Sequence, residues 1–590
     1  MTQPAADTTP GALPVVMGAS TLDDFQPLRR AERILLRACT SGDIAKVGLR
    51  RPVAATADVT VRASLLAFLV RGGEPGLRVR GRRIEMLGAW VEGRFDLGDA
   101  TIAVSLWFYR CVFDTTPLLD GARIRGGVGF PDCSLPGLMA EGCSIQLDLA
   151  LNAGCSIAGE VRLKRAQIAG DLHCARLKLQ TGSDAGAGAR RPFVADAARI
   201  DGDVTLSEGF ESVGEVRFVG AQIGGDFHAG RARVTGHVDP AGARSAALVL
   251  DRATVQGSVF LDAGFAAAGR VCLRRARIGG DLDCTAAAFD MVGDATWGNG
   301  VALVLDRARI GGTLFLRQLQ GPLLGASLAE TRVKVLADDA SAWGEHLVLD
   351  GFVYSRFGEG APVDAPFRLA WLARQEPAHL DADFRVRPWR RLIAVLRGMG
   401  HAGGATQVAI QREALLRRIG RIGESAPRAW RWVPRAAHGL FGLAAGYGHR
   451  PQRLVACLVG VWLACAAAFW VAAQQGAMAP SNPAVFSDPR YAACRMRTAN
   501  WTECAALPRE HPRFQPLAYS LDLLLPLADL RQRAAWQPSV ATAQAAAPWE
   551  FGWDDGVRAL AWLETLFGWV ATLTLIACLA GWTDRDRRRR

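Results

Sequence analysis

The sequence predicts a mainly β fold, namely a parallel β-helix solenoid with helical caps, followed by an α-helical membrane region with two spans. Two observations carry this prediction. A nine-residue phrase recurs at regular spacing through the middle of the 590-residue chain, and two long apolar segments lie near its carboxy terminus. The first pattern is typical of repeat architectures, and the second is typical of membrane spans.

The repeated phrase is clearest between residues 166 and 316. Its isoleucine position falls at Ile168, Ile200, Ile223, Val255, Ile278 and Ile310, so the steps are 32, 23, 32, 23 and 32 residues. Self-similarity at such a period indicates a solenoid in which each repeat packs on its neighbours. The longer steps predict loops that leave one corner of every second turn, at 181–191 and 240–244.

The residues of one repeat alternate between apolar and polar, which favours short strands with an apolar inside. We expect three strands per turn, with corners where the parity slips after Leu273 and at Gly280. A four-sided pentapeptide prism is the alternative, and it needs a buried residue every five positions. Leu273 and Ile278 obey that rule, whereas Asp283 breaks it, so we rank the prism second.

Composition and periodicity divide the chain into eight segments. These are a disordered amino terminus (1–22), a helical cap (23–76), the β-helix repeat domain (77–355), a basic helical hairpin and juxtamembrane region (366–450), a first transmembrane helix (454–473), a periplasmic loop (474–559) with a re-entrant or interfacial segment (517–530), a second transmembrane helix (560–582) and a basic cytoplasmic tail (583–590). The caps would shield the open ends of the solenoid, where strand edges are unpaired.

Positive charge is concentrated just before the first apolar segment. Residues 366–453 hold 16 Arg, no Lys and 5 acidic residues, a net charge of +11, while the whole chain has +12. Arginine near tryptophan at a membrane boundary suits anionic headgroups, and nucleic acid is the minor alternative. The residues expected to touch the membrane surface, called here the headgroup arginines, are Arg428, Arg431, Arg435, Arg450 and Arg453.

The arginine clusters outside both spans predict that the amino and carboxy termini lie in the cytoplasm. The segment Met1–Ser20 has no signal-peptide pattern, which agrees with a cytoplasmic solenoid. The loop between the spans would then face the periplasm. In that oxidising space Cys494 and Cys504 could form a disulfide.

No catalytic, cofactor-binding or metal-binding residue is predicted. The sequence contains no dinucleotide fingerprint, P-loop, zinc-protease motif or nucleophile elbow. Cys174, Cys272 and Cys284 fall at inward positions and are expected to be core residues, while His173 and His228 fall on a solvated face. An acidic position recurs on successive turns; it could form a cation ladder, but capping of backbone N–H groups at a corner is favoured, because Ser and Thr replace Asp later. This position comprises Asp171, Asp203, Asp226, Ser258, Asp281 and Thr313.

Four phrases resemble a bacterial membrane-protein family with β-helix or pentapeptide-like repeats. They are Val61-Arg62-Ala63-Ser64-Leu65-Leu66, Ala276-Arg277-Ile278-Gly279-Gly280-Asp281-Leu282, Pro388-Trp389 with Leu392 and Val395-Leu396-Arg397, and Tyr519-Ser520-Leu521-Asp522 with Leu525-Pro526. The resemblance covers most of the chain from about residue 25. It implies repeats joined to a carboxy-terminal membrane region, and some members carry the label "membrane-associated oxidoreductase". It assigns no residue to catalysis.

The function expected from the sequence is that of a non-enzymatic, membrane-anchored scaffold. Its solenoid would present repeated polar side chains to a protein partner, and the bilayer would be its second partner. A channel-like or sensory membrane protein and an oxidoreductase are the alternatives. No cofactor is expected, because neither a cofactor motif nor a pair of redox cysteines stands in the sequence.

Overall fold

The computed structural model describes residues 21–74, 80–180, 191–237, 245–290, 300–321, 323–489, 494, 500–504, 507, 511–539 and 553–580. The chain divides into two compact units, residues 1–405 and 406–590. The first unit is β-rich and the second is helical. The boundary falls inside the predicted basic segment 366–450. The expected tail 583–590, and residues 1–20 of the expected tail 1–22, lie outside the described residues.

The first unit is a solenoid-like stack of short parallel strands. Its described strands form sheets of 21, ten and nine strands. Each strand pairs with its equivalent one repeat later, so that Ile168 lies beside Ile200 and Ile200 beside Ile223. The periodic isoleucine position of the sequence is therefore one continuous buried row, as the repeat spacing predicts.

The described repeats in the middle of the stack run through four strand columns, so the expectation of three strands per turn is wrong. The reason is visible in a single repeat, where two inward side chains flank one outward side chain on every face. These buried pairs are Val161 and Leu163, Ala166 and Ile168, Leu172 and Cys174, and Leu177 and Leu179. The corners between these pairs differ in length, so counting alternate positions along the sequence does not detect four strands per turn.

The first column, which holds the isoleucine row, contains Thr101–Ile102, Arg123–Ile124, Ser144–Ile145, Gln167–Ile168, Arg199–Ile200, Gln222–Ile223, Thr254–Val255, Arg277–Ile278 and the beginnings of Arg309–Leu316 and Arg332–Asp338. The second contains Ala45–Lys46, Arg83–Leu87, Ser105–Tyr109, Val128–Gly129, Leu149–Ala150, Leu172–His173, Val204–Thr205, Phe227–His228, Val259–Phe260, Leu282–Asp283, the ends of the same two long strands, and Arg356–Phe357.

The third column contains Thr60–Arg62, Trp90–Glu92, Val112–Phe113, Ser134–Leu135, Ser156–Ile157, Lys178–Leu179, Glu211–Val213, Arg233–Thr235, Ala266–Ala268 and Ala288–Asp290. The fourth contains Leu138–Met139, Val161–Arg162, Phe193–Val194, Val216–Arg217, Ala246–Val249, Arg270–Cys272, Leu303–Val304, Leu323–Ser327 and Trp343–Val348. In the sequence, the extra residues of the 32-residue steps all stand between a strand of the third column and the next strand of the fourth. The loops predicted there lie outside the described residues, apart from Arg191.

Helices flank the stack in the sequence. On the amino-terminal side are Leu22–Phe25, Arg30–Ser41, Ala63–Val70 and Arg80–Arg82, and on the carboxy-terminal side are Ala365–Ala373, Pro377–Leu380, Val386–Gly398 and Ala402–Arg418, the last of which crosses the unit boundary. Strands also occur within the segment predicted as a helical cap, because Ala45–Lys46 and Thr60–Arg62 join the second and third columns.

A buried ion pair fixes the first carboxy-terminal helix to the last strands. Arg368 donates two hydrogen bonds to Asp338, of 2.7 and 2.8 Å, and both side chains are fully buried. The guanidinium also lies 3.7 Å from the centre of the Phe357 ring. Because removal of one partner would leave a buried unpaired charge, such a change costs about 3–5 kcal/mol.

The second unit contains two helices long and apolar enough to cross a membrane. They are the first apolar helix, Pro451–Gln474, and the second apolar helix, Trp553–Leu579. Both are longer than the predicted spans 454–473 and 560–582, and the second begins earlier. The bridging helix, Pro516–Leu524, packs against both of them. The other described elements are Arg428–Trp430, Trp432–Ala445, Ala484–Ser487, Trp501–Glu503, Gln532–Ala535 and the antiparallel strands Met478–Pro480 and Trp536–Pro538.

Candidate functional site

The recurring acidic position forms a hydrogen-bonded ladder along one corner of the solenoid. The backbone N–H of Asp203 donates to Asp171 Oδ1 at 2.7 Å, and that of Asp226 donates to Asp203 Oδ1 at 2.8 Å. The same bond continues to Asp226, Ser258 and Asp281 as acceptors, at 2.6, 3.0 and 2.6 Å. Capping of backbone N–H groups, the favoured reading of this position, is therefore what these side chains do.

The ladder explains why a glycine precedes each of these positions. A Cβ atom on Gly225 would lie 1.9 Å from Asp203 Oδ1, and one on Gly280 would lie 2.3 Å from Ser258 Oγ. The cap of one turn thus occupies the space of a side chain in the next. Glycine is required here by close approach and not by an unusual backbone angle, because neither residue has a positive φ.

Three possible metal ligands meet at one rung of the ladder. Asp148, Asp171 and His173 each offer a ligand atom, and these atoms lie within 4.8 Å of one another. However, Asp148 Oδ1 and Asp171 Oδ1 already accept backbone hydrogen bonds from the next turn. His228 lies two turns further along the same column, with Thr205 between the two histidines, and its ring stacks on Phe260 at 4.9 Å. The two histidines therefore do not share one site.

Cys174 and Cys284 lie in the core of the solenoid, as their inward positions predict. The same prediction is wrong for Cys272, because both of its chain neighbours point inward; it faces outward beside Val249 and Val304 and is buried in a separate cluster with them. Cys174 and Cys284 are fully buried, and Cys272 is nearly so. Burial raises the pKa of Cys272 to about 11 and raises that of the other two further. A thiol reacts as its thiolate, so these three are poor nucleophiles and poor redox groups near neutral pH.

The second unit holds a buried polar contact that the sequence did not reveal. The Ser520 hydroxyl on the bridging helix contacts Glu564 Oε1 on the second apolar helix at 2.5 Å, and Glu564 is 2% exposed. The other carboxylate oxygen, Oε2, is buried too, and the Cys465 thiol of the first apolar helix lies beside the same carboxyl group. Close backbone packing places the two helices in contact here, since a Cβ on Gly568 would lie 1.9 Å from the carbonyl oxygen of Leu524.

A signal for this contact was present in the sequence, because one acidic residue stands inside an otherwise apolar segment. Intramembrane carboxyl groups are costly and usually functional. The partner could not be identified, since Ser520 is distant in sequence. Asp522 on the same helix has a structural role, because it accepts hydrogen bonds from the N–H groups of Leu530 and Arg533 at 3.0 and 2.8 Å.

The predicted membrane-surface and disulfide residues lie in the second unit. Arg428, Arg435 and Arg453 are exposed, while Arg431 and Arg450 are partly buried. Some of the headgroup arginines also bind carbonyl groups: Arg435 donates to Ile422 and Gly420, each at 3.3 Å. Cys494 and Cys504 are joined by a disulfide, with Cα atoms 5.6 Å apart.

Comparison with known proteins gives no match: no family model fits the sequence, and neither a curated protein nor a solved structure is significantly similar to it. Inferences about function therefore rest on the residues and their geometry.

Proposed function

We propose that this chain is a non-enzymatic, membrane-anchored interaction platform. In this proposal the first unit is a closed, four-sided parallel β-helix in the cytoplasm of a bacterium. The second unit holds it at the inner membrane through two spans, with both termini in the cytoplasm. The observation that carries the proposal is the exposed apolar surface of the two long helices.

The apolar helices expose side chains that would be costly in water. On the second apolar helix, Leu563, Leu566, Leu573 and Leu579 are 60–71% exposed. On the first, Leu463 and Trp470 are about half exposed. Contiguous apolar surface of this kind marks a membrane or protein contact, and helices of 24 and 27 residues are long enough to cross a bilayer.

The region just before the first apolar helix supports a membrane boundary. Trp430 and Trp432 are 64% and 67% exposed, beside exposed headgroup arginines. Tryptophan prefers the level of the lipid headgroups, and arginine attracts their phosphates. Together these side chains favour a surface that rests on anionic lipid.

The first unit favours the role of a platform, because backbone hydrogen bonds join the described strands of each turn to those of the neighbouring turns. Such a stack is rigid, and its outward side chains recur at a spacing of about 4.8 Å. A protein partner could dock along such a row without any chemical step. Among the described residues, the cysteines of the stack are buried and the aspartates of the ladder cap backbone N–H groups, so neither set is poised for chemistry.

Two measurements test the proposal. Carbonate extraction of bacterial membranes should leave the full chain in the membrane fraction, whereas a chain ending at residue 405 should be soluble. Proximity labelling from the amino terminus should then identify cytoplasmic neighbours that depend on anchoring. Reversal of charge across one outer face should remove those neighbours without changing the melting temperature. A full chain released by carbonate, or neighbours unaffected by both changes, would contradict the proposal.

The contact between Ser520 and Glu564 favours a second candidate, a sensory or channel-like membrane protein. A buried carboxyl group between apolar helices is a usual place for a proton or an ion. Ion flux through vesicles containing the purified chain, lost in Glu564→Gln, would favour this candidate. A tightly bound flavin, haem or nicotinamide in the purified protein would instead favour the oxidoreductase.

A further inference from the structure

The first column of the solenoid carries an uninterrupted row of arginines at its carboxy-terminal end. Arg277 lies directly beside Arg309, and Arg309 directly beside Arg332, on three successive turns. All three are exposed. Among the described residues, no acidic side chain lies within ion-pair distance of any of the three.

In the turns of this column between residues 123 and 255, no two arginines lie side by side. Its outward residues there are Arg123, Ser144, Gln167, Arg199, Gln222 and Thr254, so each arginine has uncharged neighbours along the ladder. Like charges directly opposite on paired strands destabilise a sheet. Three adjacent arginines therefore break a rule that the rest of the column follows, which is typical of a functional surface.

A helix completes the site opposite this row. The groove helix, Val386–Gly398, places Arg387, Arg390 and Arg391 along the edge of a shallow groove of about 650 Å³. Residues three and four apart share one helix face, so these side chains approach the groove together. Arg391 is held in place because its Nε donates to the carbonyl oxygen of Tyr354 at 2.7 Å.

Charge and shape together define the ligand. The described residues that line the groove include six arginines and one acidic residue, Glu330, which pairs with Arg307 at 2.8 Å. A second hollow of about 560 Å³ continues along the row and adds Arg277 and Lys334. Guanidinium groups match phosphate through paired hydrogen bonds. The volume of the groove falls within the range of small-molecule sites, about 300–1,000 Å³.

We propose that this arginine groove binds a soluble organic polyphosphate, a small molecule with two or more adjacent phosphate groups. The row of the first column and the arginines of the groove helix would contact the phosphates from opposite sides. The bound anion would also relieve the repulsion between neighbouring arginines. This inference does not rest on the platform proposal, because binding can be measured whether or not the chain is anchored in a membrane.

Calorimetric titration of the full chain, purified in neutral detergent, tests the groove with tripolyphosphate as the probe. We expect saturable binding with one site per chain, and at least tenfold weaker binding for the Arg309→Gln/Arg332→Gln double variant. Glutamine is chosen because the chain itself has it at Gln167 and Gln222 in this column. The matched control is Arg123→Gln, which removes an exposed arginine from the same column and should bind as the wild type does.

Four results would overturn the proposal. The double variant could bind tripolyphosphate as tightly as the wild type, or the control could lose binding equally, which would mean unspecific attraction. The unliganded double variant could melt well below the wild type, which would mean that the arginines serve the fold; we expect an equal or higher melting temperature. Finally, bilayer discs containing cardiolipin, but not discs of phosphatidylcholine, could block the probe, which would assign the groove to lipid headgroups.

Discussion

The hydrogen-bonded ladder at the corner of the solenoid predicts how substitutions at Asp203 and Gly225 change the free energy of unfolding. The carboxylate of Asp203 accepts the N–H of Asp226 at 2.8 Å and occupies the space that a Gly225 side chain would need. Two substitutions, Asp203→Ala and Gly225→Ala, should therefore remove the same interaction by different routes. Their effects on the free energy of unfolding should not add.

The expected magnitudes follow from the contacts. Asp203→Ala loses a hydrogen bond to a charged acceptor, which is worth about 1.5–3 kcal/mol. The half-buried site places the loss near the lower value. Gly225→Ala would put a Cβ 1.9 Å from Asp203 Oδ1, so the carboxylate must turn away and the same bond is lost. Of the three atoms nearest to that Cβ, Asp203→Ala removes two and leaves the backbone nitrogen of Asp203 at 3.1 Å, so the double variant should cost no more than about 2 kcal/mol.

Denaturant unfolding of the full chain in detergent, followed by circular dichroism, measures the cycle of single and double variants. We expect a coupling of about 1–2 kcal/mol between the two sites. The matched control is Asp201→Ala, which removes a carboxylate from the same turn that makes an exposed ion pair with Arg199. Combined with Gly225→Ala, it should be additive. Additivity within about 0.5 kcal/mol for Asp203 and Gly225 would refute the steric account of the ladder.

Four further outcomes are expected. Ile278→Asp should lower the unfolding midpoint strongly, because it buries an unpaired charge at a cost of several kcal/mol; a midpoint that hardly moves would contradict its inward position. Reporters fused in the loop of Cys494 and Cys504 should be active only in the periplasm, and a cytoplasmic signal would reverse the proposed topology. Replacement of the five headgroup arginines by glutamine should weaken binding to anionic vesicles, with a smaller difference at high salt; equal binding at low salt would exclude that role. The double change of His173 and His228 to alanine should leave partner labelling intact, whereas its loss would place these rings in the docking surface.

The repeats could be predicted from the sequence because one period governs both the spacing and the burial. Each apolar position of the phrase became a buried row, and in the sequence the extra residues stand between the same two columns. The number of strands per turn could not be read in the same way. Counting alternate positions assumes that a strand continues through a corner, but the corners here differ in length. Leu273 and Ile278 therefore fit a four-sided period, whereas the outward Asp283 does not.

The polar contact between Ser520 and Glu564 in the second unit could not be predicted from the sequence. Glu564 was visible as a charge within an apolar segment, but its partner depends on packing between helices that are distant in sequence. That packing is decided by small features, such as the absence of a side chain at Gly568. Periodicity carries no information about such a contact, because neither helix repeats. A local anomaly in the sequence can therefore locate a buried polar group while leaving its partner undefined.

The arginine row shows how regularity itself can expose a site. In a repeat protein, each outward residue can be compared with the equivalent residues of the other turns, which serve the fold alone. In the first column those equivalents are mixed, and uncharged residues separate the arginines until Arg277. From that turn onward the outward residues change from a pattern that stabilises the stack to one that opposes it, although the inward residues remain buried and aliphatic. Because the core imposes no need for this change, the outer surface must account for it, and a multiply charged anion between Arg332 and the groove helix is the simplest compensation.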